Sequence, residues 1–370
     1  MPRITYPLLL LIIVAAACGP DFTPYWRADK FRVLSIQADP VVAKQGQPVT
    51  LSALVYNPDH EDVDYDWSWC PLRTSADDDH ECAVDTDDFG DFAPDDNDGN
   101  SAANNGAESD DGDPLPDDIF DLGDGEEATF LTPFDEEQVR QFCEAIQRRF
   151  TEEVDDDQLA ELLPTGDCED GYEISVRLEA SAGDASIIAS KRLKLWGGSE
   201  EYNENPVIDD VQIRPEDPDD LSILIDRVGW DVDDNADHDD QWVSVPEDDD
   251  LHLVESIPLE FRVLVDPDSL QTYTPSGADD AREEGLVYRH FTTAGSINFT
   301  RRIYGPDQNT LETASNAVHR MGSDQFSDPD ECRHPHDDGC ILYLWTVVRD
   351  GRLGVDWVER TMVVEPNGGQ

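Results

Sequence analysis

Val63-Asp64-Tyr65-Asp66-Trp67-Ser68-Trp69 sets an apolar residue against a polar one at every step. Side chains of a strand point alternately to its two faces, so Val63, Tyr65, Trp67 and Trp69 share one face. Upstream, Phe31 to Ala38 alternates in the same way. Asp39-Pro40 and Lys44-Gln45-Gly46-Gln47 supply turn chemistry, and Pro48 to Tyr56 gives a second strand through Val49, Leu51, Ala53 and Val55. Asn57-Pro58-Asp59 turns the chain again before Val63. Short alternating strands separated by turn signals at this spacing predict a β-sandwich.

The order of a strand, Asp39-Pro40, then Gly46-Gln47-Pro48-Val49-Thr50-Leu51-Ser52-Ala53, then a strand ending Trp67-Ser68-Trp69, resembles the immunoglobulin-like or PKD-like modules of bacterial surface lipoproteins. The resemblance covers residues 31–69. It implies that Trp67 or Trp69 fills the space between two sheets. The chain departs from such modules by a long insertion and by lacking the inter-sheet disulfide of antibody domains.

Beyond Trp69 the pattern dissolves into an acidic, low-complexity stretch, 71–125, which cannot bury enough apolar surface to offset the entropy of ordering; disorder is expected there. Ala128 to Leu131 reads as a strand. Thr132-Pro133-Phe134-Asp135 reads as a helix start, with a capping hydroxyl, proline at the first helical position and acids in the first turn. Val139, Phe142, Cys143, Ile146 and Phe150 form one apolar stripe of an amphipathic helix. A second short helix is expected near Asp157 to Leu163, ending at Pro164-Thr165-Gly166, so that 133–168 forms a small helical insert. Tyr172 to Ala180 and Ile187 to Trp196 restore strand alternation and close a first sandwich, 31–196.

A linker at 197–205 leads to a second sandwich, 206–366, ahead of a short tail at 367–370. Its expected strands are Val207 to Ile213, Ile257 to Val265, Leu286 to Thr292, Ser296 to Ile303, Ile341 to Val348 and Val355 to Val364. Val347 to Trp357 reads as a hairpin with glycines at the turn. Both halves finish with two strands after a cysteine-bracketed loop. The predicted fold class is therefore all-β, two immunoglobulin-like sandwiches, the first carrying the acidic insertion and the helical insert.

The apolar run Leu8 to Ala17, behind Arg3, is too short to span a bilayer as a stable helix and reads as a secretory signal over 1–17. Its ending, Ala16-Ala17-Cys18-Gly19, resembles the lipobox of bacterial lipoproteins, which implies lipidation of Cys18 as the first mature residue. Several acyl chains hold a protein firmly, since each buried methylene adds roughly 0.8 kcal/mol. Gly19 in place of an aspartate implies an outer-membrane destination. Residues 18–30 are then a lipidated tether, short enough to keep the first sandwich near the membrane.

The 370-residue chain carries 85 acidic and 25 basic residues, a formal charge of -60, and only four lysines: Lys30, Lys44, Lys191 and Lys194. Such a field repels nucleic acid and anionic headgroups and excludes them as partners. Saline surroundings, where repulsion is screened over about 8 Å or less, together with acidic loops account for it best, because the acids are spread along the entire chain; divalent-cation binding is the alternative. Six cysteines remain after Cys18, and they allow 15 pairings in an oxidising compartment. The local set, Cys70–Cys82, Cys143–Cys168 and Cys332–Cys340, is favoured because each pair brackets one loop.

Candidate chemistry is sparse. Asp231, Asp233, Asn235, Asp237 and Asp239 place oxygens at alternate positions, as a calcium loop does. Ala236 and Trp242 stand where that loop needs a glycine and a bidentate glutamate, so calcium is a weak candidate and no other cofactor is expected. The loop Cys332 to Cys340 holds His334 and His336, but its spacing matches no usual zinc pattern, and a disulfide-closed surface loop is favoured. Trp230 and Trp242 flank the Asp231 tract as the aromatic pair to test for ligand stacking. No nucleophile elbow, zinc-protease helix, phosphate loop or dinucleotide fingerprint occurs. The expected function is non-enzymatic: binding, adhesion or envelope architecture at the outer membrane, with an envelope protein, surface protein or glycan as partner. A calcium-dependent adhesin and a carboxylate-based hydrolase are the alternatives, the latter because with so many acids any pair could converge.

Overall fold

The computed structural model describes residues 24–72, 80–82, 120–153, 168–198, 203–232, 237, 241–247, 251–274, 280–298, 301–305, 317–320, 332 and 334–366. Strands dominate it. The first sandwich holds β1 (Arg32–Asp39), β2 (Val42–Ala43), β3 (Val49–Tyr56), β4 (Asp64–Cys70), β5 (Asp121–Gly123), β6 (Glu127–Phe130), β7 (Tyr172–Ala182) and β8 (Ala185–Leu195). One sheet runs β1-β3-β6 and the other β2-β8-β7-β4-β5, with β2 parallel to β8. That order is the one found in immunoglobulin-type sandwiches. Ile36, Val49, Leu51 and Phe130 face Trp67, Val176, Leu178 and Leu193 in a single core.

Both tryptophans of β4 are buried in that core, and the Trp67 indole Nε1 donates to the carbonyl of Gly125 at 2.8 Å. A buried indole needs such an acceptor. This contact corrects the expected extent of disorder in 71–125. Residues 120–125 are ordered, β5 pairs with β4, and Phe120 packs edge-on against Trp69. Residues 73–79 and 83–119 of the acidic stretch lie outside the described residues.

Helix α1 (Glu136–Glu153) begins three residues later than the sequence suggests. Asp135 Oδ1 accepts from Gln138 N at 2.8 Å while Gln138 Oε1 accepts from Asp135 N at 2.9 Å, a reciprocal capping box. Thr132 instead stabilises the turn before it, its Oγ1 accepting from Phe134 N. Val139, Phe142, Cys143 and Ile146 all enter the sandwich core, so the helical insert packs its apolar stripe into that core. The side chain of Phe150 and the helix expected near Asp157 lie outside the described residues.

The second sandwich holds β9 (Ile208–Pro215), α2 (Leu221–Val228), β10 (Val243–Ser244), β11 (Leu251–Val254), β12 (Leu259–Val265), β13 (Thr272–Tyr273), β14 (Arg282–Glu283), β15 (Leu286–Thr292), β16 (Ser296–Ile297), β17 (Arg301–Tyr304), β18 (Ala317–Arg320), β19 (Pro335–His336), β20 (Gly339–Asp350) and β21 (Val355–Glu365). Its sheets run β10-β9-β12-β18-β16 and β11-β21-β20-β15-β17, with β11 parallel to β21. The two halves thus share one plan: a parallel edge strand, then the closing hairpin, then two more strands. The single strand expected over 296–303 is two short ones in different sheets, β16 and β17.

Among the described residues no helix is long and apolar enough to cross a membrane. Three disulfides join Cys70 to Cys82, Cys143 to Cys168 and Cys332 to Cys340, with Cα separations of 5.4, 5.6 and 5.7 Å. These are the three local pairs.

Candidate functional site

The two sandwiches do not hang on a free linker. A third apolar cluster joins the outer face of the β1–β3 sheet to the outer face of the β15-β20-β21 sheet. Leu34, Leu54 and Tyr56 of the first sandwich meet Phe291, Trp345, Val347 and Val355 of the second. Tyr56 and Trp345 pack edge to face, ring centres 5.1 Å apart. Residues expected to be linker are part of this joint: Asn205 Oδ1 accepts from Val355 N at 2.8 Å and its Nδ2 donates to Ala38 O at 3.0 Å. Asn203 is buried and donates to the Asp350 carboxylate at 3.0 Å.

The expected tether is docked too. Ala28 is fully buried in the joint, and its N–H donates to Thr292 O at 2.8 Å while Thr292 N donates to Trp26 O at 3.1 Å. Residues 24–30 therefore lie along the second sandwich, and the chain does not reach the first sandwich as a loose spacer. Residues 1–23, Cys18 among them, lie outside the described residues.

Beside this joint is a cleft of about 400 Å³, lined by Ser175, Ser190, Lys191 and Arg192 of the first sandwich and Arg349 and Asp350 of the second. The β20–β21 turn forms its wall. Asp350 Oδ1 accepts from Arg352 N at 2.7 Å and Gly354 N at 2.8 Å, which closes the turn tightly. A Cβ on Gly354 would sit 2.0 Å from Asp350 Oδ2 and 2.9 Å from Glu204 O, so only glycine fits there. The turn presents Leu353 O to Lys191, whose ammonium donates to it across the joint. In the opposite direction Arg349 Nη2 reaches Ser35 Oγ at 3.4 Å.

The electrostatics of this cleft run against the rest of the molecule. Lys191 is buried, and desolvation, reinforced by Arg349, lowers its pKa to about 8, with Asp350 pulling the other way. Burial, and then Arg289, lowers the pKa of Arg349 also. Neither cation is ion-paired among the described residues, and the buried Nε of Arg349 has no hydrogen-bond partner. Arg192 at the rim pairs with Glu173 at 3.1 Å. Such a site can hold an anion by a fixed ammonium and a guanidinium edge.

The residues singled out in the sequence fall elsewhere. Asp231 and Asp237 are exposed, while Asp233, Asn235 and Asp239 lie outside the described residues; among those described, no group of three or more acids, histidines or cysteines is placed to hold a metal. Trp230 is buried in the second core with its Nε1 donating to His252 O at 2.9 Å, which takes it out of the pair singled out for ligand stacking. Trp242 is half-buried and its ring is already taken, flanked by the Arg214 and Arg262 guanidiniums at 4.4 and 4.2 Å. The pair therefore offers no open stacking platform. His334 is not on the surface either: its Nε2 lies 3.2 Å from Tyr56 Oη and its Nδ1 3.3 Å from His60 Nε2, on the first sandwich.

No family model and no curated protein match the chain. Among solved structures it is similar to the three N-terminal domains of the bacteriophage RB49 Highly Immunogenic Outer Capsid protein (Hoc), at 9% identity over 91% of this chain and 99% of that one. The TM-score of 0.18 is too low for the likeness to carry any argument.

Proposed function

We propose that the chain is a non-enzymatic lipoprotein of the cell envelope, held at the outer membrane through Cys18, whose two sandwiches act as one rigid binding or scaffolding unit. The joint carries this reading. A surface protein whose modules only need spacing uses a flexible linker, since relative motion is the default between domains with small polar contacts. Here an apolar cluster, the Asn203 and Asn205 contacts and the docked segment at 24–30 fix one sandwich on the other. Rigid presentation favours binding, because the ordering entropy is already spent before a partner arrives.

The anchor follows the lipobox-like ending at Cys18. The docked segment begins at Pro24, only six residues along the chain from Cys18; fully extended, that stretch reaches roughly 20 Å. The joint, not the first sandwich alone, is then the part held near the leaflet. A surface protein or a glycan of low charge is the partner this unit suits, given the field of a -60 chain. Fractionation tests the reading. Cys18→Ser should leave the precursor unlipidated and the protein lost from the outer-membrane fraction; unchanged retention in the outer-membrane fraction contradicts the anchor.

A further inference from the structure

We infer that the cleft between the sandwiches is a binding site for a compact oxyanion, a single carboxylate or phosphate group, held between Lys191 and Arg349. This adds a small-molecule site to the macromolecular binding role proposed above, and it rests on that reading of a rigid joint.

Acids outnumber bases 85 to 25, so a cation in this chain has carboxylates within reach almost everywhere. Arg214, Arg352 and Arg360 each find one, at 2.7, 3.1 and 3.1 Å. Lys191 and Arg349, which line the same cleft, make no close ion pair among the described residues, and Asp350 acts on Lys191 only through space while its own oxygens are taken by the turn and Asn203. Burying a charge without a counter-charge is costly, and the cost is normally removed by pairing. A backbone carbonyl for Lys191 and a 3.4 Å contact to Ser35 for Arg349 do not supply one.

The guanidinium of Arg349, which lines the cleft, is also incompletely satisfied: its Nε–H is buried with no acceptor among the described residues. A buried donor without an acceptor is destabilising, because its lost hydration is not replaced. An oxyanion in the cleft would be met by the spare protons of the Lys191 ammonium, the Arg349 guanidinium and the hydroxyl of Ser190 at the mouth. Charge-assisted bonds of this kind are the strong ones. The cleft volume of about 400 Å³ admits a small organic acid or phosphate ester and not a polymer. The field of the whole chain selects in the same direction, since it repels a polyanion far more than a singly charged ligand.

The geometry also sets the consequence of binding. Lys191 belongs to β8 of the first sandwich and Arg349 to β20 of the second, so an anion between them ties the sandwiches together. Occupancy should therefore raise the melting temperature of the joint, as any ligand that binds only the folded state does.

Titration calorimetry on the intact chain tests this. Inorganic phosphate, acetate and glucuronate are added separately at ionic strength held constant with chloride. Saturable binding by at least one of them, weakened tenfold or more in Lys191→Gln and in Arg349→Gln, is the expected result. Arg192→Gln, at the exposed rim, should bind within about twofold of wild type. Phosphate binding without acetate or glucuronate binding assigns a phosphate ligand; the converse assigns a carboxylate. No saturable heat with any of the three on the wild-type protein overturns the proposal, whether or not the variants fold. Equal affinity in wild type and in a folded Lys191→Gln/Arg349→Gln double variant overturns it as well. Fractionation of Cys18→Ser is unaffected by either outcome, so failure of the site and failure of the anchor are told apart.

Discussion

Tyr56, on the last position of β3, meets His334, in the disulfide-closed loop of the other sandwich, with Oη 3.2 Å from Nε2. A loop closed by Cys332–Cys340 over eight residues is thereby a structural part of the joint rather than a surface ornament. The histidine is buried and His60 bonds its other ring nitrogen, so both of its nitrogens are occupied by the first sandwich. Tyr56→Phe keeps the ring against Trp345 and removes this bond. It should cost about 0.5–1.5 kcal/mol in urea denaturation, and Tyr56→Ala clearly more. Equal stability of Tyr56→Ala and wild type would mean that the joint gains nothing from this contact.

Trp67 should be the most costly single truncation in the first sandwich. It is fully buried between the sheets and donates to Gly125 O. Trp67→Ala should destabilise by about 3–5 kcal/mol. Trp67→Phe should cost less, and it should specifically loosen the segment that carries Gly125. Hydrogen exchange at 120–125 checks that second effect, which faster exchange would support and unchanged exchange would refute.

His290 gives the second sandwich a distinct acid sensitivity. It is fully buried, its Nδ1 lies 2.9 Å from Thr346 Oγ1, and its ring stands edge-on to Phe261. Burial, with a smaller push from Arg302, lowers its pKa to about 3. The unfolded chain takes up the proton near the ordinary value of about 6.5. The unfolded state thus binds more protons between those two values, and stability from this group falls as the pH drops through that window. Between pH 7.5 and pH 5 the wild-type protein should lose about 2 kcal/mol more than His290→Gln. Parallel pH profiles for the two proteins would contradict the buried neutral imidazole.

The Cys143–Cys168 bridge ties α1 to the turn before β7 and closes a loop of 25 residues. Replacing both cysteines by alanine should lower the stability of the first sandwich by about 3.5 kcal/mol on the chain-entropy account. Guanidinium denaturation followed by tryptophan fluorescence reads this, because Trp67 and Trp69 report on that core. A loss under about 1 kcal/mol would show that α1 is held by its Val139–Ile146 stripe alone.

How far these features can be read from residues depends on which faces are buried. β4 and α1 are legible because each buries one face and shows it as a clean period. The joint is harder, because Leu34, Leu54 and Tyr56 sit on strands whose other face is the core. A strand buried on both sides reads as a near-continuous apolar run, and Ile341 to Val348, broken only by Thr346, is one. That run is a readable sign of a second buried face. β5 gives no sign: Asp121-Leu122-Gly123 has one apolar residue and is a strand only because β4 pairs with it. Helix α2 escapes a sequence reading although Pro218 and Gly229 bracket it. Its eight residues, of which Leu221 and Leu224 are buried, are too few to display a period. The cleft is illegible for another reason. Lys191 and Arg349 lie far apart in the chain, and no local pattern marks a cation that lacks a partner.

Differential scanning calorimetry on the wild-type protein and on Leu54→Asp tests the rigid joint most directly. Leu54 is buried against the second sandwich, outside the first core, so the substitution places a charge in the joint and leaves both cores intact. Losing the buried leucine alone costs about 2–3 kcal/mol. The wild-type chain should melt in one cooperative transition, and Leu54→Asp should split it into two. Two independent transitions in the wild-type protein, or an unchanged single one in Leu54→Asp, would contradict the account.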